Sequence, residues 1–250
     1  MGKVIAVASG KGGTGKTTSV AAISSCLAVL GYKTLCIDFD AGLRNLDLSL
    51  CMTDFTVIDY LDVVRGRNDL LEACSESPQI PKLFFLTAPA VPDPEEPEDS
   101  KLEILFDKAR ENFDFCLVDS PSGIGPGFRQ ANKFADMSII VITGELPATR
   151  DAQQTAVVLQ EMGVSDLRLL VNQVLPKNLK QIQITIDDLI DSVGVRLIGI
   201  VPMDKSVFRA LHDNVPLILY KKKHAAYDYL DVARRISGTE VPLRQWKFNN

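Results

Sequence analysis

Gly10-Lys11-Gly12-Gly13-Thr14-Gly15-Lys16-Thr17-Thr18 is the stretch on which the fold turns. It fits G-x-x-x-x-G-K-[ST], with Gly10, Gly15, Lys16 and Thr17 at the fixed positions. Side chains alone cannot wrap the charge of a triphosphate, but a run of glycines lets main-chain N–H groups come close enough. The helix that follows such a loop adds the positive end of its dipole. A lysine at position 16 then reaches β- and γ-phosphates, and a hydroxyl at position 17 ligates Mg²⁺. The competing reading is a flexible glycine-rich turn. The flanks decide between them: Lys3 to Ser9 reads as a buried parallel strand, and Thr17 to Leu30 as a helix. Strand, loop and helix are the arrangement this motif requires.

The chain has 250 residues with 46% apolar content, enough to bury the core of one α/β domain spanning residues 1–250, with a tail from 241 to 250. A net charge of −5 argues against a general nucleic-acid surface, so DNA is not an expected partner. The five cysteines show no C-x-x-C spacing and read as reduced core residues of a cytoplasmic protein. No apolar run reaches the length of a membrane span and no signal peptide opens the sequence, so any membrane contact is expected to be peripheral.

Further strands are expected at Thr34–Phe39, Lys82–Thr87, Phe113–Asp119, Met137–Thr143, Leu167–Asn172 and Arg196–Val201. Alternating with helices, they predict a doubly wound, mostly parallel β-sheet with helices on both faces, the three-layer α/β/α fold of P-loop NTPases. Thr56 to Arg65 reads as a helix with Val57, Leu61 and Val64 on one face. Ala88 to Asp99, with Pro89, Pro92, Pro94, Pro97 and several acids, reads as an exposed loop. Ser100 and Glu103 form a predicted capping box for a helix whose Leu102, Leu105, Phe106 and Ala109 face the core. Gly163 ends the helix that runs to about Met162, and a last helix ends near Ser237-Gly238.

Two carboxylates two residues apart, Asp38 and Asp40, close the second strand at the edge where such sheets hold ligands. Acids that merely cap a loop are the alternative, but the run Asp38 to Asp47 also holds Arg44 and Asn45. Asp119, closing the strand at 113–119, is a candidate Mg²⁺ ligand, or else a cap for the turn after it. No Asn-Lys-x-Asp guanine reader is present, so ATP is expected over GTP.

With Lys11 as a second loop lysine, Gly10–Thr18 resembles the deviant Walker A motif of the ParA/MinD family of ATPases. Asp38–Asp47 resembles that family's first switch segment, and Asp119-Ser120-Pro121-Ser122-Gly123-Ile124-Gly125 its second, with Ser122 for Ala and Gly125 for Glu. The resemblance covers nearly the whole chain. It implies an ATP-dependent homodimer in which Lys11 crosses to the partner's nucleotide, although an ordinary solvated lysine is the plain alternative. By the same resemblance Lys11, Lys16 and Asp40 carry catalysis, with Asp40 orienting the attacking water. Gly10, Lys11, Gly12, Gly13, Thr14, Gly15, Lys16, Thr17 and Thr18 would hold the nucleotide. Asn172, Pro202 and Asp204 would flank the adenine, and Thr17, Asp38 and Asp119 would surround Mg²⁺. Arg150 and Asp151 match a family pair that couples nucleotide state to partner surfaces; a simple helix-end ion pair is the alternative.

The implied role is a slow switch ATPase of division-site selection or positioning, reset by a protein activator or cargo partner. DNA or cargo positioning of the ParA kind and a nucleotide-dependent carrier are the alternatives. The family ends in an amphipathic membrane helix; here Leu243, Trp246 and Phe248 with Arg244 and Lys247 form a candidate weak interfacial patch at the inner face of the membrane.

Overall fold

A computed structural model of the chain describes residues 1–42, 44–53, 58–91, 93, 95, 97–175, 185–220 and 224–244, with only the backbone at 146 and 147. The strands are β1 (Lys3–Ala8), β2 (Thr34–Asp38), β3 (Ser75–Glu76), β4 (Leu83–Leu86), β5 (Phe115–Asp119), β6 (Met137–Thr143), β7 (Leu167–Val174) and β8 (Arg196–Pro202). They form one sheet in the order β3-β4-β2-β5-β1-β6-β7-β8. Every pairing is parallel except β3 with β4 at the edge. The chain leaves β1 towards β2 on one side and leaves β6 towards β7 on the other. A crevice therefore opens beyond the C-terminal ends of β1 and β6, where an open α/β sheet binds its ligand.

The helices are α1 (Lys16–Val29), α2 (Leu46–Leu50), α3 (Tyr60–Val64), α4 (Leu70–Ala73), α5 (Asp99–Asn112), α6 (Pro126–Asn132), α7 (Leu146–Glu161), α8 (Ile186–Val193), α9 (Lys205–His212), α10 (Leu217–Tyr220) and α11 (Ala225–Ile236). Period-two alternation sends Ile5 and Val7 of β1 to the face covered by α1 and α11. Val4 and Ala6 go to the opposite face, under α5. A third cluster, centred on Ile140, Leu169 and Leu159, seals α7 and α8 against the other half of the sheet. Strands buried on both faces must read as continuous apolar runs, and these do. α11 lies so close to β8 that a Cβ at Gly199 would stand 2.4 Å from Val232 Cγ2.

The predicted capping box at Ser100 and Glu103 is not formed. α5 begins at Asp99 with Glu98 as the flanking residue and no side-chain cap, so Ser100 already lies inside the first turn. Asp99 brings negative charge to the helix start and pairs with Lys133 next to α6. Capping boxes occur instead at Asp59 with Asp62 and at Thr185 with Asp188. α3 is shorter than the reading over 56–65, and Val57 lies outside the described residues. α7 starts at Leu146, which places Arg150 and Asp151 in its second turn rather than at its beginning. Pro92, Pro94, Lys221–Lys223, Trp246, Lys247 and Phe248 also lie outside the described residues.

Candidate nucleotide site

The loop between β1 and α1 is shaped by what each glycine meets. Gly13 and Gly15 take φ values of 80° and 85°, the left-handed region that other residues avoid. At Gly10 a Cβ would stand 2.7 Å from Asp151 Cβ and 2.8 Å from the Asp151 carbonyl, so α7 presses directly on the start of the loop. On the other flank, a Cβ at Gly15 would meet Asn172 Nδ2 at 2.2 Å. Around Gly12 and Gly13, by contrast, an added Cβ would find nothing within 4 Å. The loop is thus clamped at both ends and open at Gly12 and Gly13.

Side-chain hydrogen bonds hold the carbonyls on the outside of the loop. Asn172 Nδ2 donates to the Thr14 carbonyl at 2.9 Å, and Gln173 Nε2 to the Gly13 carbonyl at 3.2 Å. Ser9 Oγ donates to the Lys11 carbonyl at 2.9 Å, while the Gly123 amide reaches the Ser9 carbonyl at 3.0 Å. This last bond ties the segment after β5 to the loop. Thr14 Oγ1 is buried without a partner among the described residues, a donor group that a bound anion could satisfy.

Lys16 Nζ pairs with Asp119 Oδ1 at 2.8 Å, and the Thr17 hydroxyl helps to keep that carboxylate charged. Burial pushes the Asp119 carboxyl up, and Lys16 and Thr17 oppose that shift. A hydroxyl beside a carboxylate at the loop's end is an oxygen donor set of the kind Mg²⁺ takes, so the residues fit the ion. Asp38 is the register partner of Asp119 on the neighbouring strand and is fully buried. Its oxygens accept from the Asp40 amide at 2.8 Å and the Leu46 amide at 3.4 Å, so its first task is to hold the 38–46 loop. Burial, then the charge of Asp119, pushes its carboxyl up to about 7. Asp40 is partly exposed on that loop, which rests on the turn after β4 through Gly42 N to Pro89 O and Arg44 Nε to Thr87 Oγ1.

Lys11 and Lys16 pair with different acids. The Lys11 ammonium lies 3.4 Å from Glu145 in an exposed pair. Arg150 is exposed on α7, and Asp151 backs Gly10. Asn172, Pro202 and Asp204 line a cleft beside the loop with Thr18, Val207 and Phe208. Asp204 caps α9 by accepting from Ser206 N and also takes Ala225 N. Burial works against its charge, but these amides outweigh it and leave the carboxyl below its usual value. The sequence reading missed Tyr229 and Ser19. The phenol of α11 reaches Ser19 Oγ at 3.1 Å and Asn172 Oδ1 at 3.2 Å. Periodicity along 225–236 places Tyr229 on the inner face, but nothing local reveals what its hydroxyl meets.

Fold and site together define an α/β mononucleotide-binding protein with a phosphate loop at its switch point. A family model described as the CobQ/CobB/MinD/ParA nucleotide binding domain matches residues 5–217. The septum site-determining protein MinD of Bacillus subtilis is 34% identical over 247 residues, which cover 98% of this chain and 92% of that protein. Among solved structures, the MinC:MinD cell division protein complex of Aquifex aeolicus superposes with a TM-score of 0.89 at 33% identity, covering 98% of this chain and 99% of that one. MinD of Pyrococcus horikoshii complexed with Mg-ADP gives 0.82 at 26% identity, covering 94% and 96%. The chain belongs to the CobQ/CobB/MinD/ParA family, as one of its MinD-like, magnesium-dependent ATPases of division-site selection. No helix among the described residues is long and apolar enough to cross a membrane.

Proposed function

We propose that ATP and Mg²⁺ join two copies of this chain into a homodimer that a partner protein dismantles by stimulating hydrolysis. The observation that carries this reading is the division of the loop's two lysines. Lys16 is buried against Asp119, while Lys11 has a side chain 37% exposed that pairs with the surface acid Glu145. An exposed pair of this kind is worth little, so Lys11 is free to turn towards a second subunit. Main-chain amides of residues 10–17, with Lys16, cradle the phosphates; Thr17 and Asp119 hold Mg²⁺, and Asp38 sets the loop that carries Asp40. The bound ion supplies charge neutralisation at the β- and γ-phosphate oxygens. Asp40 orients the attacking water, and positioning of this kind is most of what phosphoryl transfer asks of a protein.

Asn172, Pro202 and Asp204 border the adenine. MinD of Aquifex aeolicus forms a complex with MinC, which supports a MinC-like protein as partner here. Leu243 is exposed just ahead of the last residues, consistent with weak, peripheral membrane contact by the tail. Phosphate release by wild type and Asp40→Ala, with sedimentation velocity in ATP and in ADP, tests the proposal. ATP-specific dimers and release that depends on Asp40 are expected. Dimer formation indifferent to nucleotide would overturn the switch, and unchanged release in Asp40→Ala would overturn the catalytic role.

A further inference from the structure

We infer that Tyr229 is a positioning residue for the phosphate loop, acting through Asn172, although its ring lines the cleft assigned to the base. This rests on the nucleotide-site reading above and deepens it. A phosphate cradle works only if its N–H groups point inward, which requires its carbonyls to be held outward. Asn172 does this at Thr14 with its Nδ2, from a side chain that is 4% exposed. An Asn amide can face either way, and the neighbours choose the orientation. Turned over, its oxygen would confront the Thr14 carbonyl, acceptor against acceptor. The Tyr229 hydroxyl forbids that turn by donating to Asn172 Oδ1 at 3.2 Å.

The same phenol lies 3.1 Å from Ser19 Oγ, but with its proton given to Asn172 and the Ser19 proton given to the Gly15 carbonyl at 2.8 Å, that contact carries no hydrogen bond of its own. Tyr229 therefore bears on the loop by one route, through Asn172 to the Thr14 carbonyl. Burial pushes the phenol up to about 12, so it keeps its proton across the working range. Gly15 matters to the same device. Its missing Cβ leaves room for Asn172 Nδ2, so the glycine admits the amide as well as the left-handed turn.

Tyr229→Phe keeps the ring and removes only the donor. MgADP and magnesium pyrophosphate, which has phosphates and no base, are the probes, with pyrophosphate measured by displacement of ADP. The inference predicts that both weaken by a similar factor, about five- to tenfold for one lost neutral hydrogen bond in a buried chain. Loss confined to MgADP would assign Tyr229 to the base cleft and overturn the inference, as would unchanged affinity for both. A double-mutant cycle with Asn172→Ala supplies the second test. If Tyr229 acts through Asn172, its substitution has little further effect in the Asn172→Ala background; additive losses refute that route. Hydrogen exchange without nucleotide gives a reading independent of binding: the Thr14 and Gly15 amides should exchange faster in Tyr229→Phe, while those of β1 do not. If wild type itself fails to bind MgADP, the nucleotide-site reading fails; a wild type that binds, beside an unaffected variant, sinks only the role of Tyr229.

Discussion

Lys16 Nζ lies 2.8 Å from Asp119 Oδ1 with both side chains almost wholly buried, which makes them a charge pair sealed under the phosphate loop. Such a pair contributes little net stability, because desolvation of both charges offsets their attraction. Removing one partner is different, since the other is left buried and uncompensated. Lys16→Ala is expected to lose MgADP binding and to cost about 3 kcal/mol in urea unfolding. Asp119→Asn in that background should recover part of the loss, because the orphaned charge is gone. Two losses that simply add would mean the pair does not couple.

Gly10 and Gly12 separate folding from binding within one loop. Gly10→Ala drives a methyl against the Asp151 backbone, and overpacking of this kind costs about 1–3 kcal/mol. Gly12→Ala meets nothing within 4 Å among the described residues, so its stability should stay within about 0.5 kcal/mol of wild type. The same methyl projects where phosphate approaches, and MgADP affinity should fall by about tenfold or more. Thermal melts and calorimetry on both variants check this. A Gly12→Ala protein that binds normally would place the phosphates elsewhere.

Much of the fold was legible in the sequence, for reasons visible in particular residues. β6 matches its predicted bounds, Met137–Thr143, because a strand buried on both faces has to be apolar throughout. The strand–loop–helix setting of Gly10–Thr18 was legible because its glycines answer to backbone conformations other residues avoid, as at Gly13 and Gly15. Local patterns fared worse where the tertiary structure set the boundary. Ser100 and Glu103 have capping-box spacing, yet the helix starts at Asp99, which Lys133 holds. Tyr229 was invisible for the opposite reason. Its partners, Asn172 and Ser19, stand 57 and 210 residues away, brought together only when α11 packs across α1 and β8. The part of Asp38, a buried carboxyl whose oxygens pin the loop bearing Asp40, needed geometry too.

Cys26 offers a test of the core that is independent of nucleotide. It is buried between α1 and α11, and burial, offset in part by Arg234, pushes its thiol from 9.0 up to about 12. In the unfolded chain the thiol ionises near 9.0, whereas in the folded protein it keeps its proton to about 12. Its contribution to stability is therefore complete below pH 9 and is lost as pH rises towards 12, by up to ~1.4 kcal/mol per pH unit. Cys26→Ala removes one buried sulfur and should cost about 1–2 kcal/mol at pH 8. That cost should shrink above pH 9 and vanish or reverse by about pH 11, since alanine has no proton to lose. Urea midpoints of wild type and variant at pH 8, 9.5 and 11 measure the gap, and the titration of every other group cancels in the difference. A gap that stays constant with pH would mean that the thiol ionises as readily in the folded protein as in the unfolded chain, and that the α1–α11 interface admits water.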